Sequence, residues 1–134
     1  MGTPSTIAFI KSDGTVHQIR CHWDGHIYSN GKTLKEHYTD INKIEQLIEL
    51  GDISSLNKEC SKPMGHSFDH RIDGFTVAYH RDRGELWKGV KTEKFGNYEI
   101  FILLSSFEDY NYIYKDGKWL VMVGDNRNGT WIEY

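Results

Sequence analysis

Residues 110–123, YNYIYKDGKWLVMV, decide the fold class. Two runs of alternating, β-prone residues meet at Asp116-Gly117, a pair suited to the left-handed central positions of a two-residue hairpin turn. Successive strand side chains point to opposite faces, so Tyr110, Tyr112 and Tyr114 share one face while Asn111 and Ile113 take the other. The tyrosine stripe is expected to pack against a helix, with its hydroxyls reaching the rim. Left exposed, it would be an interface, and a homodimer the natural outcome.

Working outward, Asp13-Gly14 separates residues 5–11 from 15–21, where Val16, Ile19 and Cys21 interleave with polar residues, and this predicts a second hairpin. Between the hairpins, Leu34, Tyr38, Ile41, Ile44, Leu47 and Ile48 fall at helical spacing, with Lys43, Glu45, Gln46 and Glu49 opposite. The pattern predicts one helix broken near Thr39 or two short ones, with Asp40 as a cap and Gly51 as the stop. Residues 57–73 are polar, hold Pro63 and Gly65, and read as a long loop, and residues 75–80 read as a strand. Residues 97–109 fit a helix or a buried strand, and their length and the closing SSFEDY favour helix. DNRNG, residues 125–129, reads as a turn and residues 130–134 as a last strand. The sum is one α+β domain over residues 1–134. Its mostly antiparallel sheet is built from two Asp-Gly hairpins plus single strands, with two or three helices on one face.

A chain of 134 residues buries a core without disulfide or metal staples. The net charge is −3, and the basic residues are scattered, so the footprint of a duplex nucleic-acid binder is missing. The longest apolar run, residues 100–104, is far too short for a bilayer, and the opening residues do not read as a signal peptide. A soluble intracellular protein without a membrane partner is expected. Cys21 and Cys60 have no CxxC spacing and read as free thiols. With 4 Trp, 8 Tyr and 6 Phe, some ring faces are expected to line a pocket or an interface.

Two short stretches concentrate chemistry. In CHWDGH, residues 21–26, Trp23 and nearby Tyr28 offer stacking faces, while His22, Asp24 and Asn30 offer hydrogen bonds. The plainer reading is a strand end and an Asp-Gly turn, with Trp23 anchoring the hairpin. His22 and His26 would align only on a helix, which Gly25 opposes. His66 and His70 share that spacing in a loop without further ligands, so no metal is expected, and no cofactor. In HRDRGE, residues 80–85, Arg81 and Arg83 at the end of a strand would lie on one side, with Asp82 opposite. Two guanidiniums form a good phosphate clamp, flanked here by Tyr79, His80 and Glu85. Their ordinary alternative is pairing with Asp82 and Glu85.

Catalysis finds little support. The sequence has no G-x-S-x-G elbow and no Gly-rich phosphate loop, and strand neighbours Cys21 and His22 face apart. Asp24, Asp82 and Glu85 would serve hydrolysis only if the fold made them converge.

MGTPSTIA (1–8), CHWDG (21–25), LGDISSL (50–56), RDRGE (81–85) and the closing YNYIYKDGKW (110–119) resemble a family of small proteins encoded by tailed bacteriophages. That family typically begins MGTRSTIA, carries HWDGY and contains YGRDRGE. The chain departs at Pro4 where Arg is typical, at His26 where Tyr is typical, and at Tyr79-His80 before the Arg-Asp-Arg run. If the family's Arg contacts a ligand, Pro4 removes that contact. The resemblance implies an accessory protein in the cytoplasm of an infected host bacterium, a setting where small phage proteins counter host defence or metabolism. The expected function is sequestration of a small phosphate-bearing, nucleotide-type ligand. Trp23 and Tyr28 would hold its ring, Arg81 and Arg83 its anionic part, and Asp24, Asn30 and Glu85 would add polar contacts. The alternatives are an inhibitor that binds a host enzyme and a hydrolase of nucleotides or nucleic acid. The composite site requires CHWDGH and HRDRGE to meet.

Overall fold

The structure, a computed structural model, describes residues 2–125 and 130–134. From residue 126 onward, the expected DNRNG turn lies outside the described residues. β1 (Ser5–Ile10) and β2 (Val16–Cys21) form the first hairpin, with Gly14 at φ 90°. The broken helix is two helices: α1 (Lys32–His37), entered from a π-helical turn over Ile27–Gly31, and α2 (Ile41–Glu49). The Asp40 carboxylate caps α2 by accepting the Asn42 amide at 2.8 Å, and Gly51, at φ 77°, follows its end. Ile41, expected in the apolar stripe, is 53% exposed: as the first residue of α2 it overhangs the packed part.

Beyond α2 come two short strands, β3 (Ile53–Ser55) and β4 (Val77–Ala78). The strand expected at 75–80 is therefore cut short, and α3 (Tyr79–Arg83) replaces its end. The cause is local. Asp82 reaches back to accept the Ala78 amide at 2.7 Å, and Gly84, at φ 80°, ends the helix. Next are α4 (Trp87–Val90), β5 (Glu93–Phe95) and α5 (Tyr98–Leu104). Asn97 caps α5 through the Ile100 amide at 2.8 Å, which settles residues 97–109 as helix followed by loop. The second hairpin is β6 (Tyr110–Lys115) with β7 (Lys118–Val123), and β8 (Ile132–Glu133) closes the chain's sheet.

The eight strands make one mixed sheet in the order β4-β3-β2-β1-β6-β7-β8, with β5 also on β2. Most pairs are antiparallel, but the central β1–β6 pair is parallel. The outer edge of β2 is shared: Val16–Gln18 pair with β5, and Cys21 pairs with β3.

Among the described residues there are five α-helices, not two or three, and those that pack on the sheet lie on both of its faces. Leu34 and Tyr38 of the α1 region and Ile44, Leu47 and Ile48 of α2 pack against Ile7, Ile19, Tyr112, Tyr114 and Val121. Phe101 of α5 packs from the opposite side with Ala8, Val16, Phe95, Phe107, Ile113 and Met122. One-sided cover was expected because the alternation of the hairpins left polar residues such as Asn111 facing away. Asn111 is nevertheless fully buried: it accepts from Thr6 at 2.7 Å and donates to the carbonyls of Glu108 and Gly124 at 3.0 Å. The tyrosine stripe is core, as its first reading had it. Tyr112 and Tyr114 are buried, and the Tyr112 hydroxyl donates to the Gly25 carbonyl at 2.6 Å. Among the described residues no helix is long and apolar enough to cross a membrane.

Candidate functional site

CHWDGH folds into a tight corner with Cys21 and Gly25 buried and the other four residues exposed. Cys21 is the last residue of β2, wholly buried, and burial pushes its thiol up to about 12, so it stays a protonated thiol at neutral pH. Asn30, also buried, donates to the Trp23 carbonyl at 3.0 Å and to Ser5 Oγ and Cys21 Sγ at 3.3 Å. Its amide is thus used inside the protein. The left-handed residue of the turn is Asp24, at φ 60°, not Gly25. Gly25 serves close approach: its amide meets the Thr3 carbonyl at 2.7 Å, and a Cβ there would sit 2.6 Å from that same oxygen.

Four rings of this corner reach solvent, those of His22, Trp23, His26 and Tyr28. Trp23 is 39% exposed, edge-on to His22 at 4.6 Å between ring centres. Tyr28 is 82% exposed and stacks on His26 at 5.2 Å. His26 also caps the π-helical turn, its Nδ1 accepting from the Tyr28 amide at 3.3 Å.

HRDRGE, being helical, does not put both guanidiniums on one side. Arg81 turns inward, donating to the Cys60 carbonyl at 2.7 Å, the Thr76 carbonyl at 3.1 Å and Asp82 Oδ1 at 2.9 Å. Asp82 is buried, and His66, also buried, places Nε2 3.5 Å from Asp82 Oδ2 while its Nδ1 accepts the Ile72 amide at 3.0 Å. Burial alone would raise the Asp82 carboxyl. Hydrogen bonds from Arg81 and the Ala78 amide outweigh it and hold the group below its ordinary value. The trio fastens residues 57–76 to the sheet. Arg83 turns outward: it pairs with Glu85 at 3.6 Å and lies 4.7 Å from the centre of the Phe68 ring.

The two stretches leave the sheet in opposite directions. β2 and β3 are parallel, and the chain past β2 continues along β3, the Trp23 amide donating to the Ser54 carbonyl at 3.1 Å. β4 runs antiparallel to β3, so it exits at the other end, where the Tyr79 amide donates to the Asp52 carbonyl at 3.2 Å. Among the described residues no hydrogen bond, ion pair or ring contact joins Trp23, Asp24, Tyr28 or Asn30 to Arg81, Arg83 or Glu85. The composite site is divided in two.

A group that the sequence did not single out lies where β3 and β5 part along β2. The Arg20 amide donates to Asp52 Oδ1 at 3.0 Å, and its guanidinium pairs with Glu93 at 2.9 Å and Glu108 at 3.3 Å. Burial raises Asp52 to about 6, against the hydrogen bond from the Arg20 amide and the Arg20 charge. Polar strand residues gave no sign of this network, because it needs four segments far apart in sequence.

Beside it, Trp87 and residues 91–95 line a concavity of about 430 Å³. Trp87 is 38% exposed, its ring 5.2 Å from that of His80. Glu93 shares the Arg20 guanidinium with Glu108, whereas Lys91 and Lys94 make no ion pair among the described residues. The groove therefore combines an aromatic wall with two lysines whose ammonium groups hold no ion pair. Among the described residues no group of three or more His, Cys, Asp and Glu side chains is placed to hold a metal ion. Comparison with protein-family models, with curated proteins and with solved structures returned no match.

Proposed function

We propose that the protein is a bacteriophage accessory protein that binds and sequesters a small phosphate-bearing ligand with a flat ring, and thereby counters host defence or metabolism. The observation that carries the reading is the groove beside Trp87. A half-exposed indole is a stacking face, and Lys91 and Lys94 hold no ion pair among the described residues, so their ammonium groups are open to a phosphate. Sequestration without turnover agrees with the state of the chain's candidate nucleophiles and acid, since Cys21 and Cys60 are buried thiols raised by burial and Asp82 is locked by Arg81. This reading moves the anionic part of the ligand from Arg81 and Arg83 to the lysines, and leaves Trp23 and Tyr28 outside the groove.

Titration calorimetry with nucleoside mono-, di- and triphosphates tests it. Wild type should bind at least one member, and the double variant Lys91→Ala/Lys94→Ala should lose that binding while its stability changes by less than about 0.5 kcal/mol. A wild-type protein that ignores the whole series sinks the proposal. Nucleotide recovered hydrolysed would replace sequestration by catalysis.

A further inference from the structure

The Trp87 groove runs along an open strand edge, as the phase of β2 shows. The Lys11 amide donates to the Thr15 carbonyl at 2.8 Å, so Thr15 and every second residue after it turn their main-chain groups toward β1. The residues between turn theirs outward, the Arg20 amide to Asp52 and the His22 amide to the Ile53 carbonyl at 3.1 Å. Val16 and Gln18 share that outward phase, so the ladder bonds to β5 run to their partners Phe95 and Glu93. Lys94, opposite His17, falls between the bonded pairs, and its N–H and C=O point away from β2. β5 pairs with no second strand, and among the described residues neither main-chain group of Lys94 makes a hydrogen bond. Successive strand side chains alternate between faces, so a hollow touching Glu93, Lys94 and Phe95 alike lies beside this edge, with Trp87 as a further wall.

We infer that the flat ring of the ligand is a nucleobase whose hydrogen-bonding edge is read by the main chain of Lys94. The inference rests on the groove reading above and names the ring. An extended residue presents its N–H beside its C=O on one side, so it is complemented by a planar group that sets an acceptor beside a donor. Every standard nucleobase carries such a pair, adenine at N1 and N6, uracil at O4 and N3. An aromatic carboxylate has no adjoining donor, and a sugar phosphate has no planar edge. With the edge taken by the base, the ammonium groups of Lys91 and Lys94 are left to the phosphate. Open edges also attract strands, but β5 offers one only three residues to pair with.

Titration calorimetry with AMP, GMP, CMP and UMP tests this, each set against an analogue whose edge donor is removed or methylated: purine riboside monophosphate, 1-methyl-GMP, N4,N4-dimethyl-CMP and 3-methyl-UMP. The nucleotide that binds should bind about tenfold tighter than its analogue, the worth of one directed hydrogen bond. Lys94→Ala keeps the main-chain N–H and Lys94→Pro removes it. Proline is compatible with an edge strand where the lost N–H lies outside the ladder. Lys94→Pro should therefore bind that nucleotide about tenfold more weakly than Lys94→Ala does. In wild type the Lys94 amide should exchange with deuterium more slowly once the nucleotide is bound, a readout that stands even where the proline variant fails to fold. Equal affinity for nucleotide and analogue, or a Lys94 amide whose exchange the nucleotide leaves unchanged, overturns the base reading. The groove survives that result if Lys91→Ala/Lys94→Ala still abolishes binding. No binding of any of the four nucleotides removes the base reading and the groove together.

Discussion

CHWDGH and HRDRGE are equally dense in reactive side chains, and the fold spends them differently. In residues 21–26 the work is done by backbone: Asp24 takes the left-handed turn, Gly25 lets two chains touch, and Asn30 gathers the Ser5, Cys21 and Trp23 groups that face inward. In residues 80–85 it is done by charge. Arg81 and Asp82 are drawn in with His66 to hold a loop, while His80 and Arg83, on the same helix, remain outside. A corner built from backbone leaves its rings and the Asp24 carboxylate outside, with no lysine or arginine among them. A helix built around one buried ion pair leaves His80 and Arg83 outside, beside the rings of Trp87 and Phe68.

This contrast can be broken in four places. Asp82→Ala has the largest expected effect, because it strands the Arg81 guanidinium and the Ala78 amide: roughly 3–5 kcal/mol of stability should be lost in urea melts. Since Asp82 is held below its ordinary value of 3.8, its contribution should persist above that pH and fade as pH drops through the folded value. Asn30→Ala, which removes one neutral amide from the backbone-built corner, should cost less, about 1–3 kcal/mol. Asp52→Asn probes the strand between the two stretches and keeps an oxygen for the Arg20 amide. Asp52 is raised from 3.8 to about 6, so the folded protein holds that proton more tightly than the unfolded chain, and stability attributable to it falls as pH rises across that window. The variant should therefore melt at a higher temperature than wild type above pH 6 and no higher at acid pH below the unfolded value. Arg83→Ala should be nearly silent in melts, within about 0.5 kcal/mol. A large loss of stability there would erase the distinction between inward and outward residues of α3.

What the sequence made legible was local. Asp13-Gly14 and Asp116-Gly117 announced both hairpins, and Asp40 and Gly51 bracketed α2, because turn and cap chemistry acts over a few residues. The ion pairs of Arg81 with Asp82 and of Arg83 with Glu85 were foreseeable as the ordinary fate of neighbouring charges. Hidden were β3 and β5, three residues each and too short for any period to register, whereas β4 is the shortened remnant of the strand expected at 75–80. The switch from strand to helix at Tyr79 depends on Asp82 reaching back to Ala78, which periodicity does not encode. The Trp87 groove was illegible for the same reason as the Arg20 network: both assemble from segments joined only by the fold.

The central parallel pair bears on how long the chain takes to become itself. β1 lies between β2 and β6, and the Thr6–Asn111 hydrogen bond spans 105 residues. During synthesis β1 precedes its β6 partner by 105 residues, so the edge that β6 covers stays open while those residues are made. An open edge of Ile7, Ala8 and Phe9 invites pairing with other chains. Closing so distant a contact is slow. The interval between making β1 and covering it is thus the time when this protein is most easily lost to aggregation, and the speed of the last hairpin sets its length.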